Sequence, residues 1–210
     1  MPATEILLAF LAATAVFAYM PGPAMLYAAA QTVSGGRSAG LMAAFGIHLG
    51  GYAHVVAAAA GLSVLFHAVP VLYTLVKLAG AAYLVWLGVR LIAQAGQPSA
   101  TMPRVEAKPR RPAFLESIAV EVLNPKTALF FLAFLPQFTD PSAWLPIWTQ
   151  LLLLGTIVNL MFSSADLICV LLAGTAIERL RRSSRTQRIA RRTGGAILIG
   201  LGANLALHRQ

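Results

Sequence analysis

The sequence predicts an all-α protein: a polytopic membrane helical bundle of six transmembrane helices, arranged as two inverted three-helix repeats. Three observations carry this expectation. The 210 residues are 58% hydrophobic and 11% charged, whereas soluble domains are about 25% charged. Mean hydropathy is +0.73. The apolar residues fall into long runs, and a span needs about 20 of them to cross a hydrocarbon core about 30 Å thick.

The first run extends from Thr4 to Gln31 and is interrupted by Pro21-Gly22-Pro23. The second covers Ala39 to Phe66 and the third Pro70 to Ala93. A polar linker, residues 94–112, carries Arg104, Lys108, Arg110 and Arg111. The fourth run, Ala113 to Leu135, contains Asn124-Pro125, and a short loop with Pro136, Asp140 and Pro141 follows. The fifth covers Ala143 to Ala176, a basic stretch runs from Glu178 to Arg192, and a short sixth run spans Thr193 to Leu207. Strands of a membrane barrel would alternate over about ten residues, and these runs do not.

Net charge is +9 and the isoelectric point about 10.6. In a soluble chain that balance would suggest nucleic acid. Here thirteen of the sixteen basic residues lie at Arg37, between Arg90 and Arg111, or between Arg179 and Arg192. Short loops rich in Lys and Arg stay in the cytoplasm. The expected partners of these residues are therefore anionic membrane lipids, not nucleic acid. Both termini then face outward; if the first run turns back at its break, the N-terminus lies inside instead. Met-Pro-Ala-Thr-Glu has no basic leader, so the first run is expected to stay in the mature chain. Cys169 is the single cysteine, which excludes an intrachain disulfide and any multi-cysteine metal or redox site.

An offset of 104 aligns Pro21 with Pro125 and Gly51 with Gly155. Each half then holds three spans, an odd number, so the halves would lie antiparallel. The expected units are a first three-helix repeat at 1–93, a basic cytoplasmic linker at 94–112 and a second repeat at 113–210. Inverted repeats are a common transporter plan, with the site at the midplane on broken helices.

Several short motifs stand in a fixed order. They are Pro21-Gly22-Pro23, Gly35-Gly36-Arg37-Ser38-Ala39-Gly40, Gly46-Ile47-His48-Leu49-Gly50 and Lys77-Leu78-Ala79-Gly80-Ala81-Ala82-Tyr83-Leu84. Asn124-Pro125-Lys126-Thr127-Ala128-Leu129-Phe130-Phe131 and Phe134-Leu135-Pro136-Gln137-Phe138 follow. As an ordered set covering nearly the whole chain, they resemble the LysE/RhtB family of amino-acid exporters. The resemblance implies a multi-pass protein of the bacterial cytoplasmic (inner) membrane. It implies export of amino acids or close derivatives, driven as antiport by the proton gradient, and no enzymatic activity. Two positions depart from the family pattern: Ala24 follows Pro-Gly-Pro where Asn is common, and Glu121 replaces the first Asn of Asn-x-x-Asn-Pro-Lys. Both departures lie beside the breaks, so the resemblance does not specify the cargo.

A proline in a membrane helix frees a carbonyl and is tolerated where neighbours or a cavity satisfy it. A break also exposes helix ends, whose N-termini attract carboxylates and whose C-termini attract cations. Pro21, Gly22, Pro23, Asn124 and Pro125 are accordingly expected to form two facing breaks around an amino acid; passive kinks are the plainer alternative. Asp166 lies deep in the fifth run, where a carboxylate is expensive and functional by default. Asn159, Ser163 and Asp166 share one helical face. Asp166 is the candidate for the coupling proton or the substrate amine, the alternative being a structural pair with Lys126. Glu121 and Lys126 flank the second break as further substrate-binding candidates, and Glu121 as an extra acid would favour cationic cargo. His54 is a candidate proton relay or a satisfied structural histidine; His48 lies on the opposite side of that helix.

Gly46, Gly50, Ala53, Ala57 and Gly61 form a small-residue stripe suited to close packing, within the chain or in a homodimer. No cofactor or metal is expected: there is no His-Glu-x-x-His, no nucleophile elbow and no cluster of acids, histidines or cysteines. The competing classes are a transporter of another small solute, such as a metal ion or metabolite, and a non-transport membrane component.

Overall fold

The structure, a computed structural model, describes residues 4–62, 70–96 and 110–172, with isolated positions between 188 and 203. All elements among the described residues are helical. Most of the basic stretch after Glu178 and most of the linker lie outside the described residues, as do the side chains of Lys77 and Tyr83.

Helix α1 spans Thr4–Ala18. At about 1.5 Å per residue, it is too short to cross the membrane alone. Pro21 and Pro23 withhold the amides that would continue it. Helix α2 starts beyond the break, at Pro23–Ala57, with Gly22 as its N-cap and Pro23 in the first turn. Proline is favoured there because its missing amide would have had no partner.

Gly36 divides α2 at φ 79°, ψ 175°, a conformation that glycine adopts without penalty. The contacts show a reversal at this point. Tyr27 Oη lies 3.4 Å from the carbonyl of Ala113, while a Cβ at Gly46 would lie 2.6 Å from the carbonyl of Phe114. A continuous helix would separate residues 27 and 46 by about 28 Å. A side chain at Gly40 would also overlap Thr32. The stretch Pro23–Leu62, 40 residues long, is therefore two arms folded back on each other. A π-helical turn, Ala58–Leu62, ends the second arm.

Helix α3, Pro70–Ala93, has the bounds expected of the third run. Its Gly88 approaches Gly195 so closely that a Cβ there would lie 2.5 Å from the Gly195 carbonyl. Helix α4, Arg110–Val122, and helix α5, Pro125–Ala133, are the fourth run bent at Asn124. A 3₁₀ turn, Leu135–Phe138, follows. The bend is 41°. Asp140 then folds the next loop by accepting bonds from the Ser142 hydroxyl and amide. These bonds hold its carboxyl below the ordinary value. Helix α6, Ile147–Leu172, is the fifth run. By length and composition, Pro23–Leu62 and Ile147–Leu172 can each cross a membrane, and the bent pair Arg111–Val122 with Pro125–Phe138 makes a third if counted as one span.

The second arm of α2 crosses α6 in antiparallel register. A Cβ at Gly40 would lie 3.0 Å from Val170, His48 bonds Ser163, a side chain at Gly51 would overlap Asn159, and one at Gly155 would lie 3.3 Å from Val55. On another face of the same arm, Gly46 and Gly50 admit the α4 backbone. A Cβ on Gly50 would lie 2.8 Å from the Ile118 carbonyl. This part of the small-residue stripe serves packing within the chain. Gly61 meets none of the described residues within 4 Å, so among them the stripe loses that role at its end.

Two cores result. Small residues fill one, with Ala24, Ala28, Ala43 and Ala44 around Tyr27, Ile47 and Val170. The other holds an aromatic column. Phe138 packs on Phe10 at 5.1 Å between centroids, Phe10 on Phe134 at 5.8 Å, and Phe134 on Phe130 at 4.3 Å. Phe17 continues it at 4.3 Å from Phe130 and 5.9 Å from Phe162. In lipid, helices associate through such packing, because burial from water supplies no drive.

Candidate functional site

The two breaks come together. Gly22 lies against Lys126: a Cβ on Gly22 would stand 2.6 Å from Lys126 Cδ. The lysine stem fills the space a side chain on Gly22 would take, so a larger residue there would displace Lys126. Lys126 Nζ donates to the carbonyl of Met20 at 2.6 Å. It also lies 4.8 Å from the centroid of Phe17 and 5.5 Å from that of Phe162, so two aromatic faces share its charge. In an unbroken helix the Met20 carbonyl would be bonded by the amide of Ala24. The break removes that partner, and the lysine from the other break replaces it.

The second break is repaired the same way from the other side. Pro125 has no amide for the Glu121 carbonyl. The amide of Asn124 reaches that carbonyl at 2.9 Å, and His54 Nε2 reaches it at 2.8 Å. A carbonyl only accepts, so Nε2 carries the proton. Asn124 caps α5 by accepting from the Lys126 amide at 3.1 Å, and its Nδ2 donates to Glu121 Oε2 at 2.9 Å. Asn124 and Pro125 thus form a capped helix start, with a side-chain acceptor on the second amide.

A cavity of about 20 Å³ lies between the breaks, lined by Gly22, Glu121, Asn124, Lys126 and Asp166, with Ala18, Ala24, Met25, Thr127 and Phe162. That volume suits about one water molecule, a space smaller than an amino acid. Glu121 and Asp166 are 3% and 5% exposed. Glu121, Asp166 and Lys126 act on one another electrostatically. Gly22 supplies no side-chain cap to α2. Ala24 and Met25, the next residues with amides, line the cavity, so a helix N-terminus opens onto it. Such an end attracts a carboxylate.

The sequence-predicted residues therefore divide. Gly22, Glu121, Asn124, Lys126 and Asp166 share one cavity wall. Pro21, Pro23 and Pro125 shape the breaks without lining it. Helix α2 starts at Pro23 and α5 at Pro125, so the two helix starts are 102 residues apart rather than 104. Asn159 and Ser163 share the helical face of Asp166 but hold His48 and do not line the cavity. Asn159 Nδ2 donates to the His48 carbonyl at 3.1 Å, and Ser163 Oγ lies 2.6 Å from His48 Nδ1. Met25, Thr127 and Phe162 were not anticipated. Phe162 precedes Asp166 by one turn and Met25 follows Pro23 by two residues, a spacing that marks the first turn. Among the described residues no three His, Cys, Asp or Glu side chains gather to hold a metal.

Two broken helices that meet at buried charges match the plan of a membrane transporter. The chain belongs to the LysE type translocator family, whose model matches residues 15–209. It is 28% identical over 188 residues to a leucine efflux protein of Enterobacter sp. (strain 638), covering 89% of this chain and 88% of that one. A leucine efflux protein of Klebsiella pneumoniae is 26% identical, with 95% and 93% covered. A membrane protein of Pseudomonas aeruginosa, of no stated function, is 32% identical, with 89% and 88% covered. No solved structure matches the chain.

Proposed function

We propose that this chain exports neutral, aliphatic amino acids or close derivatives across the cytoplasmic membrane, by exchange with protons. One observation carries the reading. A single cavity offers a helix N-terminus at Ala24 and Met25, carboxylates at Glu121 and Asp166, and an apolar wall at Ala18, Met25 and Phe162. An amino acid presents the complement of each: a carboxylate, an ammonium group and a side chain. The leucine efflux relatives support the aliphatic choice. Glu121 is engaged by Asn124, which argues against its serving as an extra anchor for lysine or arginine.

In this reading Asp166 binds the ammonium group and the proton in alternation, which is antiport at one group. Lys126 and His54 hold the breaks open toward the cavity. The architecture proposed is six spans in two inverted repeats, 1–93 and 113–210, in a multi-pass inner-membrane protein. The antiparallel register of α2 with α6 supports it, as does the contact of Gly22 with Lys126, which are 104 residues apart.

The test is exchange of labelled leucine by purified protein in liposomes, and leucine-driven proton movement with a trapped pH dye. Asp166→Asn removes a charged hydrogen-bonding partner, an interaction of about 1.5–3 kcal/mol. Leucine affinity is expected to fall roughly ten- to a hundred-fold, and proton movement to cease. Unchanged affinity together with unchanged proton movement would reject the assignment.

A further inference from the structure

Lys126 does more than fill the gap beside Gly22, because the surroundings of its head group would suit any primary ammonium. Nζ donates to the Met20 carbonyl at 2.6 Å. Met20 lies just beyond the end of α1 at Ala18, and carbonyls at the broken end of a membrane helix attract cations. The rings of Phe17 and Phe162 stand 4.8 Å and 5.5 Å from the same nitrogen, within the range at which an aromatic face holds a cation. Glu121 and Asp166 act on it electrostatically. A carbonyl, two ring faces and two carboxylates recognise a charged N–H donor. None of them reads the stem that carries it.

The stem takes up room at the same place. A Cβ on Gly22 would stand 2.6 Å from Lys126 Cδ and 3.4 Å from its Nζ. The cavity beside it is about 20 Å³, which suits about one water molecule. The ammonium group and Cα of an amino acid can therefore reach the Met20 carbonyl only through volume that Lys126 holds. Two ammonium groups cannot share that carbonyl, since they repel and charge inside a membrane is expensive. The flexible lysine stem can swing aside. Lys126 stands in the first turn of α5 and Met20 at the other break, so moving Nζ off Met20 also unties the two breaks.

We propose that Lys126 is a built-in stand-in for the ammonium group of the transported molecule. Its Nζ occupies an amine subsite formed by the Met20 carbonyl, Phe17 and Phe162, and the substrate binds by displacing it. The proposal rests on the amino-acid reading above and adds to it a subsite and the residue that competes for it.

The test uses purified Lys126→Ala in detergent. The truncation removes the stem beyond Cβ with its ammonium, the equivalent of n-propylammonium. That ion is expected to raise the melting temperature of the variant but not of the wild type, and n-propanol, of the same shape without the charge, to raise neither. Propylammonium at about ten times its Kd is expected to weaken binding of labelled leucine to the variant roughly tenfold, with no such effect on the wild type. Absence of stabilisation by propylammonium, or stabilisation with leucine binding unchanged, would overturn the proposal; leucine binding by the wild type would still leave the exporter reading standing. Protein that binds leucine in neither form would overturn both. Should Lys126→Ala fail to fold, Lys126→Gln keeps a donor near the Met20 carbonyl without the charge. Methylammonium is then the probe, and the same outcomes decide.

Discussion

His54 and Lys126 each satisfy a carbonyl that a proline-bearing break in the other half has orphaned. His54 reaches the Glu121 carbonyl and Lys126 the Met20 carbonyl. The roles can be separated by substitution. His54→Gln offers a donor at a similar distance and is expected to keep wild-type thermal stability in detergent. His54→Leu leaves the Glu121 carbonyl with the Asn124 amide alone and is expected to cost about 1–3 kcal/mol. Equal stability of the two variants would show that the bond to Glu121 contributes nothing. The sequence marks His54 as polar and near mid-segment, but not which helix it meets. Periodicity says which residues share a face; it does not say what that face touches. For the same reason Asn159, Ser163 and Asp166 read as one stripe, although the first two meet His48 and the third meets the cavity.

At the scale of elements, proline and glycine made most of the architecture legible. Pro70 opens α3 and Pro125 opens α5, each where the pattern places a start or a break. The start of α2 is less legible because Pro21 and Pro23 are both suited to it. Only Pro23 occupies the first turn. The reversal at Gly36 falls beside Arg37, in the gap between the first and second apolar runs, although helical geometry continues almost to the glycine on either side. Packing of α2 on α4 depends on missing side chains. Gly50→Ala would place a Cβ 2.8 Å from the Ile118 carbonyl, and backbone cannot swing aside. Overpacking of this kind costs roughly 1–3 kcal/mol. Gly61→Ala meets none of the described residues and should be neutral or slightly stabilising, since alanine favours helix. Parallel unfolding of the two variants would decide whether the stripe acts at its middle or along its full length.

At the scale of the whole molecule, the aromatic column reaches the cavity at Phe162, and Tyr27 stands two residues from Met25 of its lining. Tyr27 Oη donates to Glu116 at 3.0 Å, and Gln31 Nε2 donates to Tyr27 Oη at 3.0 Å. One end thus rests on ring packing and the other on hydrogen bonds. In the export reading proposed above, each contact is a gate that the transport cycle opens in turn. Tyr27→Phe removes the link to Glu116 and is expected to raise labelling of a cysteine placed at Ala24 by a cytoplasm-side thiol reagent, measured in a Cys169→Ser background. Labelling no higher than in the Tyr27 parent would show that this contact does not close the cavity.

The crossed repair of the two breaks also bears on how the protein survives its own synthesis. Residues up to Met20 emerge from the ribosome long before Lys126, and His54 waits in the membrane for the Glu121 carbonyl. Until the second half arrives, the first carries a carbonyl with its eventual partner missing, in a solvent that offers no substitute. An orphaned first half is therefore a ready target for membrane quality control. A gene split in the linker between residues 96 and 110 would yield stable protein only when both pieces are made together.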